Sequence, residues 1–135
     1  MKILVIDGMG GGMGKAIIEQ IKGEDIACEI GAAGTNVAAT AAMLKAGASF
    51  GATGENAVIY NCKNADFIIG AMGIIFANSM HGEISPAMAS AVSSSEAYKL
   101  LIPFAKCSGK VVGIAERPLK YYLNEMVERL KAERL

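Results

Sequence analysis

The chain has 135 residues, which is enough for one domain with its own core but leaves little room for a separate substrate-binding domain. Its 13 basic and 13 acidic residues cancel, so nothing in the charge predicts nucleic acid or an anionic membrane as a partner. The longest apolar run, residues 67–77, is far shorter than the roughly 20 residues that cross a bilayer, and we expect a cytoplasmic protein.

Three cysteines, Cys28, Cys62 and Cys107, are widely spaced and form no CxxC motif. An odd number with this spacing predicts reduced thiols that pack as small apolar side chains. The single histidine and the scattered carboxylates do not provide three convergent ligands, so no metal is predicted. The N-terminal apolar run ends at the charged Asp7 after a few residues, which is too short for a signal peptide.

The start of the chain predicts a strand, a helix and a second strand. The apolar run over residues 3–7 is typical of a buried strand. The predicted helix ends at Lys22-Gly23, and the second strand covers residues 26–30 together with the Gly-Ala-Ala that follows at 31–33. The helix itself is indicated by apolar side chains that recur at helical spacing, at Met13, Ile17, Ile18 and Ile21.

The next segment predicts another helix and another strand. Thr35 is the candidate N-cap of a helix over residues 36–46, and Gly47 ends that helix. A short strand over residues 48–52 follows. This alternation of strands and helices is typical of a parallel sheet covered by helices.

A third helix and a fourth strand come next. Thr53 is the candidate N-cap of a helix over about residues 54–63, although residues 57–60 have the residue types of a strand as well. Residues 66–70 are apolar almost throughout, as expected for a central strand with helices on both faces.

Residues 73–80 fit either a short buried helix or an extended segment. Beyond them Ser85 and Pro86 are a capping pair, with serine at the N-cap and proline at the first helical position. They predict a helix over about residues 86–93, and a fifth strand is predicted over residues 98–103.

The C-terminal part predicts a sixth strand, over residues 110–115, and a last helix, over about residues 118–134. The connection between the fifth and sixth strands, residues 104–109, is shorter than the roughly dozen residues that a parallel crossover needs. The sixth strand is therefore predicted to be an antiparallel edge strand. The last helix is amphipathic, with apolar side chains at Leu119, Tyr122, Leu123, Met126, Val127 and Leu130.

The segment from Asp7 to Lys15, with the sequence DGMGGGMGK, joins the first strand to the first helix, and we call it the glycine loop. The unpaired N–H groups of a helix start favour an anion such as phosphate. The Walker pattern fails here at Met9 and Ala16, and the strict dinucleotide pattern G-x-G-x-x-G fails at Met13 or Lys15. Looser glycine spacings fit, and close packing of strand on helix is the alternative role.

The glycine loop is the predicted phosphate site. The carboxylate that holds a ribose about 20 residues beyond such a loop is missing, so two residues after the second strand are expected near a sugar. Lys15 opposes the helix dipole unless an anion lies beside it, which favours a bound phosphate. The predicted ligand contacts are Gly8, Met9, Gly10, Gly11, Gly12, Met13, Gly14, Lys15, Thr35 and Asn36.

His81 is the only histidine, and Glu83 follows it in a loop expected at the same edge of the sheet. Imidazole titrates near neutrality, so the two residues are candidates for acid–base catalysis. The alternative is a structural loop in which Asn78 and Ser79 satisfy backbone groups.

Together these elements predict a three-layer, Rossmann-like doubly wound α/β sheet in a single domain. It has about five parallel strands, an antiparallel edge strand and a C-terminal amphipathic helix. Five stretches carry a resemblance to a known family: VIDGMGGGMGK (5–15), GTN (34–36), MLKAGA (43–48), GATGENA (51–57) and ANSMHGEI (77–84). Over about residues 1–115 the chain resembles a family of short bacterial proteins called domain of unknown function 3842. The resemblance implies a soluble bacterial protein and gives no activity.

The leading hypothesis is a module that binds a nucleotide or dinucleotide, such as NAD(P), at the glycine loop. If the protein is an enzyme, an NAD(P)-linked oxidoreductase is the first interpretation, although no hydride-transfer apparatus is visible. One alternative is a non-catalytic sensor or subunit for a phosphorylated metabolite. Another is a small phosphate-handling enzyme that uses His81 and Glu83. A homodimer is a candidate assembly, and burial in the core is the alternative role of residues 67–80, the apolar segment that would form its surface.

Overall fold

Five parallel strands form the central sheet of the computed structural model, which describes residues 1–103 and 109–133. Their order across the sheet is third, second, first, fourth, fifth, and each neighbouring pair is parallel. This confirms the predicted doubly wound arrangement. The strands are β1 (Lys2–Asp7), β2 (Glu29–Gly34), β3 (Phe50–Thr53), β4 (Phe67–Ala71) and β5 (Tyr98–Ile102).

Helices cover both faces of the sheet and complete the three layers. They are α1 (Gly12–Lys22), α2 (Val37–Lys45), α3 (Glu55–Asn61), α4 (Pro86–Ser94) and α5 (Leu119–Glu133). On β1, Ile3 and Val5 pack in one core with α1 and α5, and Leu4 and Ile6 pack in a second core with α3 and α4. None of the helices in the described ranges is long and apolar enough to cross a membrane.

The segment between β4 and α4, which sequence patterns leave open, is mostly irregular. A short 3-10 helix over Met72–Ile75 follows β4, and turns lead from there to α4. Ser85 caps α4 as predicted, because its hydroxyl accepts a hydrogen bond from the N–H of Met88 at 3.2 Å.

The predicted antiparallel sixth strand is wrong. Residues 110–115 form a turn and irregular backbone, and β5 pairs with β4 alone in the described part of the chain. Gly113 has φ 91°, which interrupts an extended run, and Val112 is 96% exposed, so its strand propensity has no neighbour to pack on. The predicted connection over residues 104–109 falls mostly outside the described residues.

The second strand begins later than its apolar residues predict. Residues 26–30 are the apolar run, but β2 covers Glu29–Gly34 and pairs residue by residue with β1. Small side chains suit this stretch, since a Cβ on Gly31 would lie 2.3 Å from the Phe50 ring. Pairing with β1, rather than local hydrophobicity, sets the register of β2.

The predicted caps of α2 and α3 are wrong. Asn36 caps α2, since its Oδ1 accepts a hydrogen bond from the N–H of Ala39 at 2.8 Å. Thr35, the predicted cap, has a different partner, described below. Gly54 occupies the cap position of α3 without a side-chain hydrogen bond, and Thr53 is not the cap.

Candidate functional site

The glycine loop lies at the carboxyl end of β1, at the point where the strand order reverses. β1 has β2 on one side and β4 on the other, so the chain builds one half of the sheet before it crosses to the second half. In doubly wound sheets ligands bind at this position, outside the carboxyl ends of the strands.

Asp7, at the end of β1, ties the two ends of the glycine loop together. The residue is 4% exposed, and its Oδ1 and Oδ2 accept hydrogen bonds from the N–H groups of Gly8 at 2.8 Å and Gly14 at 2.6 Å. Burial raises the pKa of Asp7, and the two N–H groups oppose that rise. Sequence patterns identify Asp7 only as the end of a strand. The available signal for its role is a carboxylate next to a run of glycine N–H groups.

Three glycines of the loop are explained by packing or backbone conformation. A Cβ on Gly8 would lie 2.5 Å from Oγ1 of Thr35, and one on Gly14 would lie 2.5 Å from the sulfur of Met43. Gly11 occupies the N-cap position of α1 with φ 78°, a left-handed conformation that favours glycine. A larger residue at any of the three would therefore disturb the loop itself.

Gly10 and Gly12 differ from those three, because nothing in the described residues requires glycine at either position. Neither has a positive φ, and a Cβ added to either would meet no atom within 4 Å. Glycine loses more conformational entropy on folding than other residues do, so its presence has a cost. Two such glycines leave space for a group that is not part of the chain.

Three backbone N–H groups at the start of α1 have no hydrogen-bond partner within residues 1–103 and 109–133. They belong to Gly10, Gly12 and Met13. The N–H groups around them are satisfied, since Gly11 donates to the carbonyl of Gly8 at 3.0 Å and Lys15 donates to that of Gly11 at 2.9 Å. Unpaired N–H groups at the positive end of a helix dipole favour an anion.

A cavity of about 720 Å³ opens beside these N–H groups. It is lined by residues 7–13, by Ala71 and Met72 at the end of β4, and by Met80, Pro103 and Tyr122. Most residues of the stretch 109–117, which we call the 109–117 segment, line it as well. This size, with mostly apolar walls and a few polar groups, is typical of a small-molecule site. The apolar side chains are those of Met9, Met13, Met72, Met80, Val111, Ile114 and Tyr122.

The 109–117 segment brings two cationic side chains to the cavity. Lys110 and Arg117 line it, together with Glu116. The guanidinium carbon of Arg117 lies 4.9 Å from the centroid of the Tyr121 ring, which orients the side chain. Sequence reasoning missed these residues, because the segment was expected to be an edge strand and lies far from the glycine loop along the chain.

Glu83 supports the glycine loop from the side of β2. Its Oε1 accepts hydrogen bonds from the N–H of Met9 at 2.8 Å, from Oγ1 of Thr35 at 2.5 Å and from Nδ2 of Asn36 at 3.0 Å. These donors, led by Met9, hold the pKa of Glu83 below its usual value, so the residue is a carboxylate at neutral pH. Thr35 and Asn36, which were predicted near a sugar, donate hydrogen bonds to Glu83 instead and do not line the cavity.

A strained loop places Glu83 at this position. Asn78, Met80 and His81 have φ values of 68°, 57° and 57°, left-handed conformations that cost about 1 kcal/mol or more each outside glycine. The N–H of Asn78 donates to the carbonyl of Ile84 at 2.6 Å, which closes the loop. The strain is therefore offset by contacts that include the hydrogen bonds of Glu83.

Lys15 and His81 are exposed and do not line the cavity. The structure thus brings Glu83 to the glycine loop but leaves His81 outside the site. A catalytic role for His81 and Glu83 stays a prediction, and one oxygen of the Glu83 carboxylate already accepts three hydrogen bonds.

Cys28 and Cys62 are free thiols. Burial raises the pKa of both, that of Cys62 to about 11, so neither is a reactive thiolate at neutral pH. Cys107 lies outside the described residues. Within the described ranges no three His, Cys, Asp or Glu side chains come together in a group that could hold a metal ion.

A model of the family described as Domain of unknown function (DUF3842) matches residues 2–134. No curated protein matches the sequence. Among solved structures, the chain is similar to a dodecameric FMN-dependent UbiX-like decarboxylase from Escherichia coli O157:H7. That likeness covers 100% of this chain and 95% of the other, at 14% sequence identity and a TM-score of 0.46. The family match extends the resemblance seen in the sequence to nearly the whole chain.

Proposed function

The chain belongs to the family described as Domain of unknown function (DUF3842), and for this member we propose a cavity that binds a nucleotide-type cofactor through its phosphate. One observation carries the proposal. Gly10, Gly12 and Met13, whose N–H groups have no partner in the described residues, line a cavity of about 720 Å³ at the point where the strand order reverses. Because Gly10 and Gly12 carry no side chains, a phosphate would reach these donors directly.

Two cationic side chains at the cavity suit a phosphate as well, and the acidic residues that also line it are Asp7 and Glu116. Arg117 offers a planar guanidinium that pairs with phosphate oxygens through two hydrogen bonds, and Lys110 adds a second positive charge. The carboxylate of Asp7 would repel a bound phosphate. Hydrogen bonds from the N–H groups of Gly8 and Gly14 to its oxygens weaken that repulsion.

The apolar walls would hold the ring system of a nucleotide. Met72 and Met80 come from the β4 side, and Val111 and Ile114 from the 109–117 segment. Methionine thioethers make favourable contacts with aromatic rings and adapt to their shape. The residues that line the cavity therefore include both donors for a phosphate and apolar side chains for a ring.

NAD(P) is the cofactor first expected from the sequence, whereas the proposal made here covers nucleotide-type cofactors as a class and is not tied to an NAD(P)-linked reaction. A bound nucleotide cofactor would supply the redox chemistry, and the chain would bind and orient it. The same cavity would serve a sensor or subunit that binds a phosphorylated metabolite without turnover. Turnover assays on the ligand-bound protein separate the two functions.

The experiment is a binding titration of the full chain against a nucleotide panel, with Gly10→Ala and Gly12→Ala as variants and Gly23→Ala as the matched control. Gly23 ends α1 with φ −74°, and its added Cβ would make only ordinary contacts, at 3.5 Å. We expect the first two variants to fold and to lose at least about tenfold in affinity, since each places a methyl group between the N–H donors and the phosphate. Gly23→Ala should bind as the wild type does.

Two results would contradict the proposal. One is equal affinity in Gly10→Ala, Gly12→Ala and the wild type, and the other is no binding across the panel. Native mass spectrometry of the purified protein complements the titration, because it reports a retained ligand and tests the candidate homodimer in the same measurement.

A further inference from the structure

We infer that the cavity takes a mononucleotide, with one phosphate and one planar ring system, and that it excludes a dinucleotide such as NAD(P). This inference rests on the proposed function and narrows its ligand class. It depends on where the cavity ends, on what fills the carboxyl end of β2, and on which surfaces remain for the ring.

The cavity extends from β1 toward β4 and β5, but not toward β2. Its walls come from residues 7–13, the end of β4, Met80, Pro103, the 109–117 segment and Tyr122. No residue from 14 to 70, a stretch that the structure describes in full, lines it. In dinucleotide-binding folds the two halves of the cofactor lie on both sides of the reversal point, and the ribose of one half is held just beyond β2. This cavity therefore lies on only one of those two sides.

The position beyond β2 is already occupied by protein. Thr35 and Asn36, the first residues after β2, both donate to Oε1 of Glu83. The packing is close, since a Cβ on Gly8 would lie 2.7 Å from that oxygen. A second ribose would have to displace Glu83 and break its hydrogen bonds to Met9, Thr35 and Asn36, and a 2′-phosphate would meet a carboxylate.

The surfaces that line the cavity are sufficient to bind one phosphate and one ring system. Gly10, Gly12 and Met13, with their unpaired N–H groups, line the cavity, and its walls are largely apolar. A flavin mononucleotide and an adenosine monophosphate both have this chemistry, and the experiment distinguishes them.

Isothermal titration of the full chain with FMN, AMP, NADH and NADPH tests the inference. We expect FMN or AMP to bind at least tenfold more tightly than either dinucleotide. Equal or tighter binding of NADH or NADPH would overturn this inference and leave the proposed nucleotide function standing. Absence of binding by all four ligands would instead reject the proposed function, so the two failures give different results.

Variants of Glu83 test its part in the exclusion. Glu83→Ala removes the group that fills the position beyond β2, and we expect the preference for a mononucleotide over NADH to fall at least threefold. Glu83→Gln keeps the size of the side chain and should retain the preference. If Glu83→Ala keeps both its mononucleotide affinity and its full preference for a mononucleotide over NADH, Glu83 does not exclude the dinucleotide. If the variant fails to fold, the wild-type titration still decides the ligand class.

Discussion

At the scale of single residues, the five glycines of the loop have two different functions. Gly8, Gly11 and Gly14 are required by contacts or by backbone conformation, whereas Gly10 and Gly12 are not. The sequence shows a run of equivalent glycines, and only atomic positions separate the structural ones from those that face open space.

Gly11→Ala tests the structural group. The position has φ 78°, and an added Cβ would lie 2.8 Å from the backbone Cα of Ala39, which cannot rotate away. We expect a loss of about 1–3 kcal/mol in the free energy of unfolding, measured by urea titration. Gly10→Ala is the control and should change stability by less than about 1 kcal/mol, since its Cβ meets no atom. An equal loss of unfolding free energy in Gly11→Ala and Gly10→Ala would contradict the division of the glycines into two groups.

Glu83→Gln tests the carboxylate that supports the loop. Hydrogen bonds lower the pKa of Glu83 in the folded state, so its charged form stabilises the protein above the unfolded pKa, and this stabilisation disappears as the pH falls through the folded value. We expect the variant to be less stable than the wild type by about 1 kcal/mol at pH 7 and the difference to shrink below about pH 4. Thermal unfolding from pH 3 to 7 measures it.

The wild type must be compared with Glu83→Gln, because the titration of Asp7 changes the stability in the opposite direction to that of Glu83. The raised pKa of Asp7 adds stability as the pH falls, so the wild-type curve alone mixes the two groups. A difference between wild type and Glu83→Gln that does not depend on pH would show that the charge of Glu83 does not stabilise the loop.

At the scale of elements, the 109–117 segment shows how a strand-like sequence serves another purpose. Its apolar residues Val111 and Ile114 line the cavity instead of joining the sheet edge. The segment is fixed to α5 by Tyr122, whose hydroxyl donates a hydrogen bond to the carbonyl of Ala115. Local propensity could not reveal this, because the partner lies on a separate helix and the cavity exists only in the folded chain.

Tyr122→Phe tests that attachment. The substitution keeps the buried ring but removes the hydroxyl that pairs with Ala115, and we expect a loss of about 1 kcal/mol in the free energy of unfolding. Because the 109–117 segment carries Arg117, ligand affinity should fall severalfold as well. Tyr121→Phe, next to it, is the control, and its effect on both quantities should be small. Unchanged ligand affinity in Tyr122→Phe would show that the position of the 109–117 segment does not affect ligand binding.

At the scale of the whole molecule, the proposed site joins regions that are distant in sequence, so its ligand should stabilise the entire fold. Binding to the folded state alone adds about 2.7 kcal/mol at a ligand concentration of one hundred times Kd. We expect the unfolding temperature of the wild type to rise steadily with the concentration of the tightest ligand in the panel. Gly12→Ala should show little rise at the same concentrations, whereas an equal rise would place the ligand elsewhere.

By itself the sequence determined the alternation of strands and helices, the glycine turn at the first helix and the amphipathic last helix. These follow from periodicity and turn chemistry within short windows. Only the tertiary structure decided the register of β2, the commitment of Thr35 and Asn36 to Glu83, and the use of the 109–117 segment as a cavity wall. The physical reason is the same in each case, because these features are contacts between groups far apart in the chain. A local pattern carries no information about which distant group will pair with a strand, satisfy a hydrogen bond or cover an apolar surface.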